Sequence, residues 1–400
     1  MNKRGEVKLT PVGHIPKEWE VVRLGEATYL KQGNVLATTK LKEKGYPVYG
    51  ANGVIGYYDT YTHAKGEVLV TCRGSTCGTV NMSVPFSFVT NNAMVVTPKD
   101  PSKLDKLFLF YCLSGIDLTR AITGTGQPQI TKLTLSPVFI PLPPLPEQKK
   151  IAEILRTVDG AIEKVDETIE RTERLKKGLM QELLTKGIGH REFKDAEIGR
   201  IPKEWEVVKL GDIRFFKLIM GQSPPSSTYN KSGIGIPFLQ GCAEFGKIYP
   251  SPNLYCSKPL KIVRLGDILI SVRAPVGEIN IADTNLCIGR GLAALRPKEK
   301  SVNTFYIYYA LHKAKGKLKN RSSGSTFKAI AKRDLENFQI PLPPLPEQKQ
   351  IAKILMTVDK KLELLREKKK TLEQLKKGLM NGLLTGRRRV KVEPPKETLF

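Results

Sequence analysis

The sequence predicts an α+β protein built as an internal duplication, with two globular domains separated by a pair of long antiparallel coiled-coil helices in a pseudo-two-fold arrangement. Three observations carry this reading. Long motifs return once, nearly unchanged, at an interval close to half the chain. The repeated stretch that follows the second motif has the apolar spacing of a coiled coil. The segments between the motifs mix short β-branched runs with apolar-faced helical stretches, and they differ greatly between the two copies.

The repeats fix the order of elements. Ile15-Pro-Lys-Glu-Trp-Glu-Val-Val-Arg-Leu-Gly25 recurs as Ile201 to Gly211 with ten of eleven positions identical, an offset of 186. Pro141-Leu-Pro-Pro-Leu-Pro-Glu-Gln-Lys149 recurs unchanged as Pro341 to Lys349, an offset of 200, so the second copy has gained 14 residues between the two motifs. Ile151 to Asp159 returns as Ile351 to Asp359 with two differences, and Leu175 to Met180 returns intact as Leu375 to Met380. The expected organisation is a first globular domain over 1–140 and a helical spacer over 141–190. A second domain over 191–340, a second spacer over 341–386 and a basic tail over 387–400 follow. The tail has no evident counterpart in the first half.

Within the globular segments, Glu67 to Cys72 and Asp267 to Val272 read as short strands, each introduced by glycine. Leu104 to Leu113 and Val302 to Ala314 read as helices. Clusters such as Gly50-Ala-Asn-Gly53 and Gly221-Gln-Ser-Pro-Pro-Ser-Ser227 punctuate them.

Each spacer opens on a stiff Pro-rich stretch, with Pro146 and Glu147 suited to a first helical turn. Ile151, Leu155, Val158, Ile162, Val165 and Ile169 then follow alternating four-three spacing, the seam of a coiled coil. The pattern skips near Thr172 and resumes at Leu175, Leu179 and Leu183. The second copy offers Ile351, Leu355, Val358, Leu362 and Leu365, is interrupted by Lys369, and continues at Leu372 and Leu375. Each helix is expected to run about 35 residues, roughly 50 Å.

Composition narrows the function. Six cysteines form no Cys-x-x-Cys pair, and four histidines stand apart from them, so no metal site is expected and the thiols read as reduced. No apolar run approaches a bilayer span and no secretory signal follows Met1, so the expectation is a soluble, cytoplasmic protein with no membrane partner. The net charge of +26 favours an anionic partner, nucleic acid first and an anionic membrane surface second. Its distribution is uneven: residues 1–140 hold 16 Lys/Arg against 10 Asp/Glu, residues 200–340 hold 23 against 10, and residues 141–199 are near neutral.

Base edges are read by Arg, Lys, Asn, Gln and hydroxyl side chains, and phosphates by cations and amides. The DNA-binding candidates in the first domain are Tyr49, Asn52, Arg73, Asn91, Asn92 and Gln127. In the second they are Gln222, Gln240, Arg273, Arg290, Lys317, Lys319, Arg321 and Lys328. Arg73 and Arg273 stand out because they follow aligned strands in both halves, with a structural ion pair as the competing reading.

Taken together, these features resemble the specificity subunits of type I restriction–modification systems, over nearly the whole chain. The paired Ile-Pro-Lys-Glu-Trp motifs, the paired Pro-Leu-Pro-Pro-Leu-Pro-Glu-Gln-Lys motifs, Tyr49-Gly-Ala-Asn-Gly-Val-Ile-Gly56 and Gly266-Asp-Ile-Leu-Ile-Ser-Val-Arg273 carry the resemblance. It implies two target recognition domains, each gripping one half of a bipartite, gapped sequence in double-stranded DNA. It also implies spacer helices that set the gap and dock two methyltransferase subunits, with two restriction/translocase subunits able to join. By the same resemblance the chain has no catalytic residue and no cofactor of its own. S-adenosylmethionine, ATP and magnesium belong to the partner subunits.

The residues agree with a non-catalytic role. An Asn/Asp-Pro-Pro-aromatic motif for adenine methylation is missing, as is the Gly-x-x-x-x-Gly-Lys-Ser/Thr of a P-loop motor. No Pro-Asp dipeptide of a common acidic nuclease is present. A stand-alone DNA-binding protein would share the charge and the helices. Dependence of recognition on a methyltransferase partner separates the two readings.

Overall fold

The computed structural model describes residues 6–51, 53–124, 126–321 and 329–392. The chain divides into two compact units, one formed by the described residues up to Asp166 with those from Glu367 onward, the other by Glu167 to Arg366. The division cuts both long helices, so each unit owns a globular part and one stretch of each helix. This differs from a plan of separate globular and spacer domains.

In the first unit, Val7–Thr10 and Gly13–Pro16 form a hairpin, and Glu20–Arg23 pairs antiparallel with Phe139–Leu142. A four-stranded sheet runs in the order Thr28–Gln32, Ala93–Pro98, Val68–Thr71, Val80–Met82. Beside it lies a three-stranded sheet in which Tyr46–Gly50 pairs antiparallel with Gly53–Tyr58 and parallel with Phe88–Val89. Helix α1, Lys106–Gly115, starts where the Asp105 carboxylate accepts the Phe108 amide. Helix α2 spans Leu145–Leu183.

The second unit repeats this plan. Its hairpin is Phe193–Ala196 with Gly199–Pro202, and Glu206–Lys209 pairs with Gln339–Leu342. Its four-stranded sheet runs Phe216–Met220, Leu292–Pro297, Ile268–Ser271, Ile279–Ile281. The second sheet has grown to five strands, which is where much of the inserted length resides. Helix α3, Thr304–Asn320, is capped by Asn303, and helix α4 spans Leu345–Leu383. The strands Val68–Thr71 and Ile268–Ser271 are buried at every position, which explains why they read as unbroken apolar runs rather than alternating ones.

The long helices are 39 residues each, about 58 Å, longer than their sequence pattern predicts. Ile151, Leu155, Val165, Ile351, Leu355 and Leu362 are buried, and Val158, Ile162, Ile169, Val358 and Leu365 are half-buried. The expected skip is corrected. The seam continues in phase through Thr172, which is buried, and Lys176, while Leu175 and Leu375 stand 53% and 49% exposed. A leucine one residue off the seam points about 100° away from it. Lysines fill the seam instead, lying along it with their stems and reaching carboxylates with their ammonium groups. Lys369, the apparent interruption, holds Asp166 at 2.7 Å.

Each globular part is seated on the first turn of a long helix. Trp19 Nε1 donates to Glu147 Oε2 at 3.0 Å in the first unit, and Trp205 Nε1 donates to Glu347 Oε2 at 3.0 Å in the second. Both tryptophans are buried completely. The glutamates also take a cationic or imidazole partner: Arg389 forks onto Glu147 at 2.8 and 2.9 Å, and His190 Nε2 lies 2.9 Å from Glu347 Oε1. The residues from Arg387 to Val392 therefore do have a counterpart, the segment around His190. The expectation of a tail without one is corrected for this part; residues 393–400 lie outside the described residues.

Candidate nucleic-acid interface

One edge of each globular part is assembled by main-chain hydrogen bonds that match between the two units. In the first, Gly33 N donates to Ala93 O at 3.1 Å, Asn34 N to Val89 O at 2.9 Å, and Cys72 N to Asn92 O at 2.7 Å. In the second, Gly221 N donates to Leu292 O at 2.9 Å, Gln222 N to Ile288 O at 3.0 Å, and Val272 N to Gly291 O at 2.9 Å. Glycine is required at the crossing: a Cβ on Gly33 would lie 2.3 Å from Thr90 O, and one on Gly221 would lie 2.1 Å from Gly289 O. The bonds equate Asn34 with Gln222, Asn91 with Arg290, and Arg73 with Arg273.

This equivalence gathers most of the candidates. Arg73 follows the strand bonded to Asn92 and bridges Gln129, which brings the exposed Gln127 turn alongside. Asn91 O accepts Gln32 Nε2 at 2.7 Å, and the hairpin tip at Ala51 O accepts Thr71 Oγ1 and Thr76 Oγ1 at 3.1 and 2.6 Å. In the second unit, Ser223 Oγ accepts both the Arg290 amide and Gln240 Nε2 at 3.1 Å, and these join exposed Gln222 and Arg273. Arg73 and Arg273 are exposed, and among the described residues neither forms an ion pair, so the structural salt bridge is not found.

Other candidates are placed elsewhere. Tyr49 is corrected: it is 7% exposed, packs with Leu69, Val89 and Val95, and its hydroxyl accepts the Val84 amide at 3.1 Å. A phenol held inside cannot reach a base edge. Lys317, Lys319 and Arg321 lie at the end of α3, where Lys317 Nζ donates to Ile198 O at 3.2 Å and Arg321 to Asn337 O at 3.4 Å. Both of those cations are exposed. Asn52 and Lys328 lie outside the described residues, as does the turn Gly324 to Phe327. Sequence reading missed Gln32, Asn34 and Ser223; the glycine before Asn34 and before Gln222 was the available signal.

The edge offers amides, guanidinium groups and hydroxyls, a hydrogen-bonding surface rather than a reaction centre. The described residues hold no group of three or more His, Cys, Asp or Glu arranged to hold a metal ion. Burial pushes the Cys72 thiol up to about 12, far from the reactive thiolate range. No described helix is long and apolar enough to cross a membrane.

A family model described as the type I restriction modification DNA specificity domain matches residues 16–173 and again 202–374. The chain belongs to this family. It is a specificity subunit, the DNA-recognition component of a type I system and not its catalyst. It is 42% identical to the putative type I restriction enzyme MjaX specificity subunit of Methanocaldococcus jannaschii, over 97% of this chain and 98% of that one. A second relative from the same organism, the MjaVIII specificity subunit, is 31% identical over 94% of each. Among solved structures, a chain described under complex assembly and conformational transition of the type I R-M system is 30% identical. It has a TM-score of 0.55, covering 94% of this subunit and 99% of that chain. The S subunit from M. genitalium, at 20% identity and a TM-score of 0.67 over 94% of this subunit and 97% of that chain, shares the fold. The two family matches fall on the two copies of the duplication, so the specificity subunit carries one matched edge in each.

Proposed function

We propose that this specificity subunit reads a bipartite, gapped DNA sequence, one half per unit, and directs partner methyltransferase subunits to it, with nuclease subunits able to join. The observation that carries the reading is the equivalence of the two edges. The same backbone frame presents Arg73, Asn34 and Asn91 in one unit and Arg273, Gln222 and Arg290 in the other. A shared frame with shared arginines suits contacts common to any duplex. Different side chains beside them suit two unlike base sequences. The long helices offer the docking surface for partners, and the chemistry, with S-adenosylmethionine, ATP and magnesium, resides in those partners. Such an assembly works in the cytoplasm, where the DNA is.

The test is to co-express the chain with its methyltransferase subunits in a methylation-free host and map N6-methyladenine by long-read sequencing. A gapped motif with unlike halves, present only with the chain, is expected. Exchange of residues 200–340 for those of another specificity subunit should change one half alone. A methylation pattern indifferent to the chain, with both proteins folded and co-purifying, would overturn the proposal.

A further inference from the structure

Asp159 and Asp359 sit at the same junction in the two halves. In the first unit, Asp159 on α2 accepts the Tyr111 hydroxyl from α1 at 2.8 Å and the Lys376 ammonium from α4 at 2.6 Å. In the second, Asp359 on α4 accepts the Tyr309 hydroxyl from α3 at 2.7 Å and the Lys176 ammonium from α2 at 2.5 Å. Each lysine also lies 5.8 Å from the ring centroid of the tyrosine that shares its aspartate. The carboxylates and ammonium groups are mostly covered, with side chains 19% to 30% exposed. These contacts are therefore less screened than surface pairs.

Three elements thus meet on one carboxylate: the helix of the globular part and both long helices. The lysines occupy seam positions where an apolar side chain would pack better. A polar group in a coiled-coil seam characteristically trades stability for a defined arrangement. The junction is also a polar anchor at the far end of the contact between globular part and helix. Each globular part is already pinned at Glu147 or Glu347, where the tryptophan docks. Twelve residues of helix, about 18 Å, separate that pin from the aspartate. Between pin and aspartate, Ile151 and Leu155 in one unit and Ile351 and Leu355 in the other are buried in the same core as the globular part, so the aspartate fixes the far end of that attachment and with it the tilt.

We infer that Asp159 and Asp359 are positioning residues for DNA specificity: each clamps its recognition domain to the helix pair and thereby holds the gap between half-sites to one length. The inference rests on the proposed reading of a gapped target. A base-pair step is about 3.4 Å, so rocking that moves a recognition edge by only that distance admits a gap one step longer or shorter. The clamp contributes to discrimination without touching a base.

The experiment uses the chain assembled with its methyltransferase subunits. Methylation rates are measured on duplexes carrying the mapped motif with its natural gap and with gaps one base pair shorter and longer. Asp159→Ala and Asp359→Ala should each raise the off-gap to natural-gap rate ratio by about tenfold, the effect of losing charge-assisted bonds at one junction. Asp159→Asn, which keeps an acceptor for Tyr111, should recover part of the discrimination. Tyr111→Phe removes a single oxygen and carries the test should the alanine variants fail to fold. An unchanged ratio in folded variants, with all rates lowered together, would make the junction merely structural and overturn the inference. A wild-type complex that shows no gapped, chain-dependent motif would instead sink the underlying reading.

Discussion

Arg389 and His190 hold equivalent glutamates in the two halves, Arg389 on the buried Glu147 and His190 on the half-buried Glu347. Among the described residues, Glu147 retains only the Trp19 indole as a donor side chain if Arg389 is lost. Arg389→Ala, or truncation after Gly386, should therefore cost about 2–4 kcal/mol, since a covered carboxylate would be left under-paired. Thermal unfolding should register a drop of about 5 °C or more in the transition that reports the first unit. A variant melting with the wild type would mean that the C-terminal segment is dispensable.

Tyr49 offers a test of placement. Its hydroxyl serves the Val84 amide from inside a small core, so Tyr49→Phe should lower stability by about 1 kcal/mol and leave the methylated sequence unchanged. A changed first half-site in this variant would return Tyr49 to the recognition surface.

Why Tyr49 misled is instructive. It sits in a glycine-rich segment that reads as a loop, yet its strand is sandwiched between Gly53–Tyr58 and Phe88–Val89, and the second of these pairings joins residues too far apart in sequence for a local pattern to report. The duplication, by contrast, was open to reading because repeats are one-dimensional: the buried strands Val68–Thr71 and Ile268–Ser271 stand where the aligned runs place them. The long helices were legible as elements, but their inner face was not fully so. Leucine was favoured over lysine at 175 and 176, although the unbroken four-three phase selects Lys176. Asp159 and Lys376 lie inside segments the chain repeats, so their importance was written in the sequence, but their meeting across helices required the fold. The kinship of Arg389 with His190 was hidden because the offset becomes 199 and the side chains differ.

Arg73 and Arg273 separate phosphate contact from base contact. If Arg73 touches a phosphate, Arg73→Ala should weaken binding evenly across sequences and reduce the slope of log affinity against log salt by about 1. If it reads a base, about 1–3 kcal/mol of discrimination should vanish at one position of one half-site. The equivalent frame predicts that Arg273→Ala behaves in the same class. Binding titrations of the assembled complex at several salt concentrations decide it, and two variants indistinguishable from wild type would remove both arginines from the interface.

Lys313 gives a pH signature for the second unit. Its counterpart, by the alignment of capped helices, is Gly115, where α1 stops beside a groove of 940 Å³ lined partly by Val12 and Asn381. In the second unit α3 continues over the equivalent place, and Lys313 Nζ donates to Gln181 O at 3.4 Å. Burial, with help from Lys317, pulls the Lys313 ammonium down to about 8. The unfolded chain, with lysine near 10.5, then holds more protons than the folded chain between about pH 8 and 10.5. The residue thus opposes folding most fully below pH 8, and its penalty fades as pH rises through that window. Lys313→Met should stabilise the second unit at pH 7 by on the order of 1 kcal/mol, after allowance for partial solvation and the lost hydrogen bond. It should also flatten the rise in stability that the wild type gains from pH 8 to 10. Denaturant midpoints across that range measure both effects. A variant less stable than wild type at pH 7, with the pH slope retained, would show that the ammonium is welcome where it sits.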